Sequence, residues 1–199
     1  MAVLERSKLD RQTISLQRTW KQFQLIRAGF ENAPGVRLFY ANQKVEIVMP
    51  GREHELFKGI IGLLIETFLI ERDREFEPTG SMDQVKEEAA FVQADESYSF
   101  GKTKDIPDIS IEVIFSSGSA AKLERYQILG VSEVWLWEDG IFALYHLREH
   151  GYDRIERSEL TEFIDLDMKL LTRCVLLGET SRLAAVKAFK LGLSQGHLD

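Results

Sequence analysis

Asp95 and Glu112 are the residues of this 199-residue chain whose type and setting point most directly to chemistry. Glu112 stands inside ISIEVIF (109–115), an apolar, β-branched run of the kind that forms a central strand. Burying a carboxylate there is costly unless it is paired, protonated or bound to a cation. Alternation along the strand puts Ser110, Glu112 and Ile114 on one face and Ile111, Val113 and Phe115 on the other. Asp95 closes the strand-like segment that comes before. If those two strands lie side by side, the pair can share one Mg2+, an ion that takes oxygen ligands and keeps several of its waters. Such an ion would polarise a phosphodiester and lower the pKa of a bound water, which then attacks phosphorus. The competing reading is a buried salt bridge or a satisfied core carboxylate, and spacing alone leaves both open. Asp108 shares Glu112's face but lies four residues back, about 13 Å along an extended strand. It follows Pro107 and suits a loop-to-strand start, with a structural or outer role.

Other chemistries can be set aside. Gly101-Lys102-Thr103 ends like a phosphate-binding loop, but the glycine that loop requires earlier falls at Glu96. His54-Glu55 begins like a zinc-protease helix, yet the second histidine's position holds Lys58. No Gly-x-Ser-x-Gly string is present. Cys174 is the one cysteine, which excludes an internal disulfide and a cysteine-based zinc site, and its Leu/Val-rich surroundings mark it as a packed core thiol. Trp135 and Trp137, with Tyr126 in the preceding helix, offer aromatic faces for base stacking. Two tryptophans at a spacing of two share one sheet face, and packing under a helix is the favoured reading.

The elements that must hold the carboxylate pair follow from periodicity and turn chemistry. Leu16, Trp20, Phe23 and Ile26 predict a helix over 13–28, closed by Gly29. Strands over 36–41 and 45–49 are joined through Asn42-Gln43. A long helix over 53–72 carries Phe57, Ile60, Ile61, Leu64 and Phe68 on its apolar side. Short strands at 76–79 and 89–93 follow, then the polar stretch 98–105 and the strand of Glu112. Ser116-Ser117-Gly118-Ser119 leads into a helix over 120–129 that ends at Gly130. A strand over 131–137, a turn at Asp139-Gly140, strands at 141–147 and 152–157, and a helix over 181–193 complete the chain. This order predicts a mixed α/β (α+β) fold with a central mixed sheet flanked by helices.

A hydrophobic fraction of 44% and a charged fraction of 29% are ordinary for a globular protein. The net charge of −7 argues against broad, nonspecific nucleic-acid binding, while leaving room for a local basic face. The longest apolar segment, 59–70, is interrupted by Glu66 and is too short for a bilayer. The N-terminal MAVLERSKLDR has charges where a signal peptide needs apolar residues. The expectation is a cytoplasmic protein with no membrane partner.

Asp95 and the interval to Ile111-Glu112-Val113-Ile114 resemble the two-acid signature of the PD-(D/E)XK nuclease superfamily. The wider chain looks like its Uma-type restriction endonuclease family. The matching strings are VRLFYANQKVEIVMPGREHE, FVQADESYSFG, IPDISIEVIFSSGS, KLERYQILGVSEVWLWEDG and GYDRIERSEL, from about Trp20 to Leu160. The resemblance implies a restriction-endonuclease-like core, Asp95 and Glu112 as metal ligands, and often a homodimer. The expected organisation is a helical appendage over 1–30 and a restriction-endonuclease-like domain over 31–199. The expected activity is Mg2+- or Mn2+-dependent hydrolysis of DNA phosphodiesters; the alternative is a catalytically silent member kept as a dimerising or nucleic-acid-binding module. Two departures stand against the family pattern. Ala94 replaces the proline before the first acid, and Ile114 replaces the lysine two residues after the second. Ile114 can neither donate a hydrogen bond nor carry charge. Lys122 is the best substitute, reaching from the following helix as a migrated lysine does in some members, against a plain role as an exposed lysine or a partner for Glu124. Gln93 is a second candidate on Asp95's face. His54 and Glu55 open the long helix, where they read as helix-start or capping residues ahead of extra ligands.

Overall fold

The first described element is a strand rather than a helix, in a computed structural model that describes residues 12–102, 104–115 and 119–195. Residues 12–17 form β1 (Gln12–Gln17), and the helix predicted over 13–28 begins only at α1 (Trp20–Gly29). The capping box decides the boundary: Thr19 Oγ1 accepts from the Gln22 amide, and Gln22 Oε1 accepts from the Thr19 amide. Leu16 misleads the periodicity because it packs, from the strand, into the same cluster as Trp20, Phe23 and Ile26.

β2 (Arg37–Ala41) and β3 (Lys44–Met49) form the predicted hairpin. Asn42 and Gln43 both adopt positive φ (47° and 62°), as a two-residue turn that matches strand twist requires. α2 (Arg52–Glu71) follows, then the short β4 (Glu77–Pro78), β5 (Asp83–Lys86), β6 (Ala90–Gln93), β7 (Glu96–Ser99) and β8 (Ile109–Ile114). α3 (Ser119–Leu129) crosses to β9 (Glu133–Glu138), which continues through β10 (Ile141–Arg148) and β11 (Gly151–Ile155). A 3-10 turn at Thr161–Phe163, α4 (Met168–Thr180) and α5 (Arg182–Gln195) end the described chain.

The α+β class is as the sequence reads, but the strands divide between two sheets. One is antiparallel, in the order β1-β3-β2-β6-β5; the other is mixed, in the order β11-β10-β9-β8-β7-β4. The mixed sheet contains one parallel pair, β8 with β9, joined by the α3 crossover. α3 packs against β6, β2 and β5 of the first sheet and against β9 and β11 of the second, so it lies between them. α1 covers the other face of the antiparallel sheet, where Phe23, Leu38, Tyr40 and Phe91 pack together. α2 and α4 cover the other face of the mixed sheet, with α5 packed on both, over a core that includes Trp135, Trp137, Ile111 and Val113. Among the described residues, no helix is long and apolar enough to cross a membrane.

Candidate active site

The chain leaves the antiparallel sheet at Gln93 and enters the mixed sheet at Glu96, so Asp95 sits at the crossing between the two. β7 pairs with β8 in the register Glu96↔Ile111. One step further along that register sets Asp95 opposite Glu112. Directly opposed residues in such a ladder have Cα atoms about 4.5–5.5 Å apart. Asp95 Oδ2 accepts the Val113 amide at 2.8 Å, which lays its carboxylate against the strand of Glu112. Both acids are buried, Asp95 at 2% and Glu112 at 1% exposure.

Each acid has its own set of partners. Asp95 Oδ1 lies 2.8 Å from His54 Nε2, in the first turn of α2, and 3.7 Å from Arg37 Nε on β2. Arg37 is itself fixed, donating from Nη1 to the Ala94 carbonyl at 2.8 Å. Burial pushes the Asp95 carboxyl up, but His54, Arg37 and the Val113 amide outweigh it and hold the group below the usual carboxylate range. Glu112 Oε1 accepts a short hydrogen bond from the Tyr126 hydroxyl, and Lys122 Nζ lies 3.7 Å from Oε2. Lys122 and Tyr126 are one turn apart on α3 and therefore share the face turned to Glu112. Burial, and then the Glu112 charge, push the Tyr126 phenol well above its ordinary value, so it stays a donor.

This donor set fits a hard divalent cation. Ionised carboxylates are acceptor-only groups with room for about four hydrogen bonds each, more than Asp95 and Glu112 receive from the described residues. Among the described residues no group of three or more His, Cys, Asp or Glu side chains is arranged as a metal cage. The pair would therefore hold an ion with waters completing its shell, which is the habit of Mg2+.

Lys122 lies near Glu112, and the β7–β8 register extended by one residue sets Asp95 opposite Glu112, while most other candidates are engaged elsewhere. Gln93 turns away: its amide accepts from the Leu38 N–H at 2.9 Å and donates to Asp83 at 2.7 Å. Asp108 fastens its own loop, taking the Phe100 amide at 2.8 Å and the Lys104 ammonium at 2.6 Å. Glu124 pairs with Asn42, leaving Lys122 to Glu112. Ile114 is core, packed with Tyr126, Val131 and Leu136. Trp135, Trp137 and Cys174 are core as well. His54 is more than a helix-start residue, since its ring meets Asp95; Glu55 lies 3.8 Å from Arg37 Nη2 and 3.9 Å from Lys58 Nζ. Arg37 was invisible in the sequence, because nothing in RLFYA says which strand will lie beside it. Glu96, next to Asp95, is pushed up to about 7 by burial; Asp95 and Glu66 add to this, against the lowering effect of Lys58 and Arg37.

The arrangement of sheets and helices has a counterpart among solved structures. A crystal structure of "a putative nuclease belonging to DUF820 from Anabaena variabilis" matches with a TM-score of 0.51, at 16% identity, over 69% of this chain and 90% of that one. At that identity the likeness is one of fold. The family model Uma2, described as "Putative restriction endonuclease", matches residues 20–173, and the chain belongs to that family. No functionally curated protein matches the chain.

Proposed function

We propose that this protein is a Mg2+- or Mn2+-dependent endonuclease that hydrolyses DNA phosphodiester bonds, acting in the cytoplasm as a homodimer. What supports the reading is the β7–β8 register, which extended by one residue sets Asp95 opposite Glu112, together with the Asp95 carboxylate on the Val113 amide and the Lys122 ammonium 3.7 Å from Glu112. A divalent ion held by the two acids would polarise the phosphate and supply a water of lowered pKa. His54, Arg37 and the Val113 amide keep Asp95 ionised and fixed in direction. Tyr126 orients Glu112 by donating to one of its oxygens. Lys122 Nζ, at 3.7 Å, is beyond hydrogen-bond reach of Glu112 and can turn to a phosphate oxygen, where it stabilises the charge that builds up as water attacks. Lys122 thus takes the role that Ile114 cannot fill. Incubating the purified protein with supercoiled DNA tests this: nicking should require Mg2+ or Mn2+ and vanish in Asp95→Ala and Glu112→Ala. Activity that survives both substitutions ends the proposal.

A second reading rests on the side chain at position 114. Ile114 is packed into the core, and both acids are already held by protein groups. A silent, DNA-binding member of the fold would show salt-dependent binding without turnover, unchanged by Asp95→Ala.

A further inference from the structure

α4 packs on α5 and α2, and a third side of it faces the β10–β11 hairpin. An open groove of about 990 Å³ runs there between helix and sheet. Its floor is apolar. Leu144 on β10 and Ile155 on β11 are paired neighbours, and Phe142, two residues from Leu144, shares their face. The α4 wall is formed by Met168, Thr172 and Leu176, spaced four residues apart, a ridge of the kind that packs into a groove of a second helix. Leu176 is 44% exposed, and Ile141, also lining the groove, is 56% exposed. Apolar surface left in water and rimmed by polar groups marks an interaction site. The rim here is basic. Lys169 and Arg173 lie one turn apart beside the ridge, both exposed, and among the described residues neither forms an ion pair. Arg154 adds a third positive charge to the lining, against one negative charge from Glu156. In a chain of net charge −7, such a wall is complementary to carboxylates.

We propose that this groove receives an acidic amphipathic helix of another protein, laid beside α4 on the β10–β11 face. The ridge from Met168 to Leu176 is about 12 Å long, a little over two turns, and a partner helix of that length covers it. Apolar side chains at three- and four-residue spacing would fill the floor, and carboxylates one turn apart would meet Lys169 and Arg173. A second copy of this chain is a poorer occupant, because across a twofold axis the groove meets itself, cation against cation. Nucleic acid would satisfy the cations but leave the apolar floor bare. The groove uses no residue of the Asp95–Glu112 site, so the partner surface stands whether or not the protein cuts DNA.

Amide NMR of the full chain, titrated with a synthetic helical peptide of about 18 residues, roughly five turns, tests it. The peptide carries leucine at every third or fourth position, with glutamates one turn apart beside them. Shifts should centre on Met168–Leu176 and on the β10–β11 floor. The Lys169→Glu/Arg173→Glu protein should bind the peptide about tenfold more weakly, and a peptide with glutamine in place of each glutamate should lose as much. Thr172→Trp, which fills the groove, should abolish binding. The charge reversal alters two exposed side chains, so its melting temperature should hold, and any nicking shown by the unsubstituted protein should persist in it. No binding, shifts centred elsewhere, or a charge-reversed protein that binds as tightly as the unsubstituted one would overturn the proposal. So would self-association that Thr172→Trp removes, which assigns the face to a second copy, or DNA binding that charge reversal removes and the peptide does not displace.

Discussion

Glu112 and Glu133 stand on the neighbouring parallel strands β8 and β9, and both are buried, yet their surroundings differ completely. Glu133 is saturated. Its Oε2 accepts from Trp135 Nε1 at 2.9 Å and Ser158 Oγ at 2.8 Å, and its Oε1 takes the Glu159 amide at 2.7 Å and lies 3.1 Å from His146 Nδ1. Those contacts tie the segment after β11 back onto the sheet. Glu112, among the described residues, has one hydrogen bond from Tyr126 and an ammonium at 3.7 Å. A buried carboxylate whose acceptor positions are filled is structural glue, because each partner offsets part of its desolvation. One that keeps acceptor room beside a cation is placed to take a ligand.

The same change at the two positions should therefore do opposite things. Glu112→Gln is expected to abolish metal-dependent nicking, as is Asp95→Ala, while Glu112→Gln leaves the melting temperature nearly unchanged, since Tyr126 can donate to the amide oxygen. Lys122→Ala should cost about 10²-fold in turnover, the usual loss when one charge-stabilising donor is removed, with DNA affinity less affected. Glu133→Gln reverses the pattern: the new NH2 must face either Trp135 or the Glu159 amide, leaving a buried N–H without its acceptor at a cost of about 1–3 kcal/mol. Chemical denaturation should register that loss while nicking by the folded fraction persists. A Glu112→Gln protein as destabilised as Glu133→Gln would erase the distinction.

Sequence pattern exposes one of these acids and hides the other. Glu112 is legible because a carboxylate interrupts an unbroken apolar strand, and Asp95 because it closes the strand segment before it. Glu133 opens β9 beside Ser132, where a charged residue is unremarkable, and its donors come from as far along the chain as Ser158 and Glu159. The same physics divides the fold. α2, β8 and β9 announce themselves through continuous apolar faces, and the β2–β3 hairpin through its turn residues. β5 (DQVK) and β7 (ESYS) have polar sequences and become strands through their pairing with β6 and β8. α4 is not among the helices that the sequence predicts, although its apolar face packs on α2, a contact made so close by Gly178 that a Cβ there would lie 2.6 Å from Ile60 Cγ2. Arg37 and His54 join the site only because the chain changes sheets beside them, which no local pattern encodes.

The smallest expected effect lies at the rim of the saturated glutamate. Glu159 gives its amide to Glu133, and its carboxylate receives Arg148 through Nη1 at 2.9 Å and Nη2 at 2.5 Å. The Arg148 hydrogen bonds come first among the influences on Glu159; they and the nearby charges of His146, Arg148 and Arg157 hold its carboxyl below the usual range despite some desolvation. A carboxyl depressed in the folded state contributes stability above its unfolded pKa, and that contribution fades as pH falls through the folded value. Arg148→Ala should therefore raise the Glu159 pKa toward the ordinary carboxylate range, as read by carbon-detected NMR titration. The stability difference between the two proteins should be present at neutral pH and disappear on acidification. Salt should shrink it, because the pair is solvent-exposed and screened. A Glu159 carboxyl that titrates unchanged in Arg148→Ala would mean that the guanidinium does not set it, and that Glu133 holds the segment without help from this outer pair.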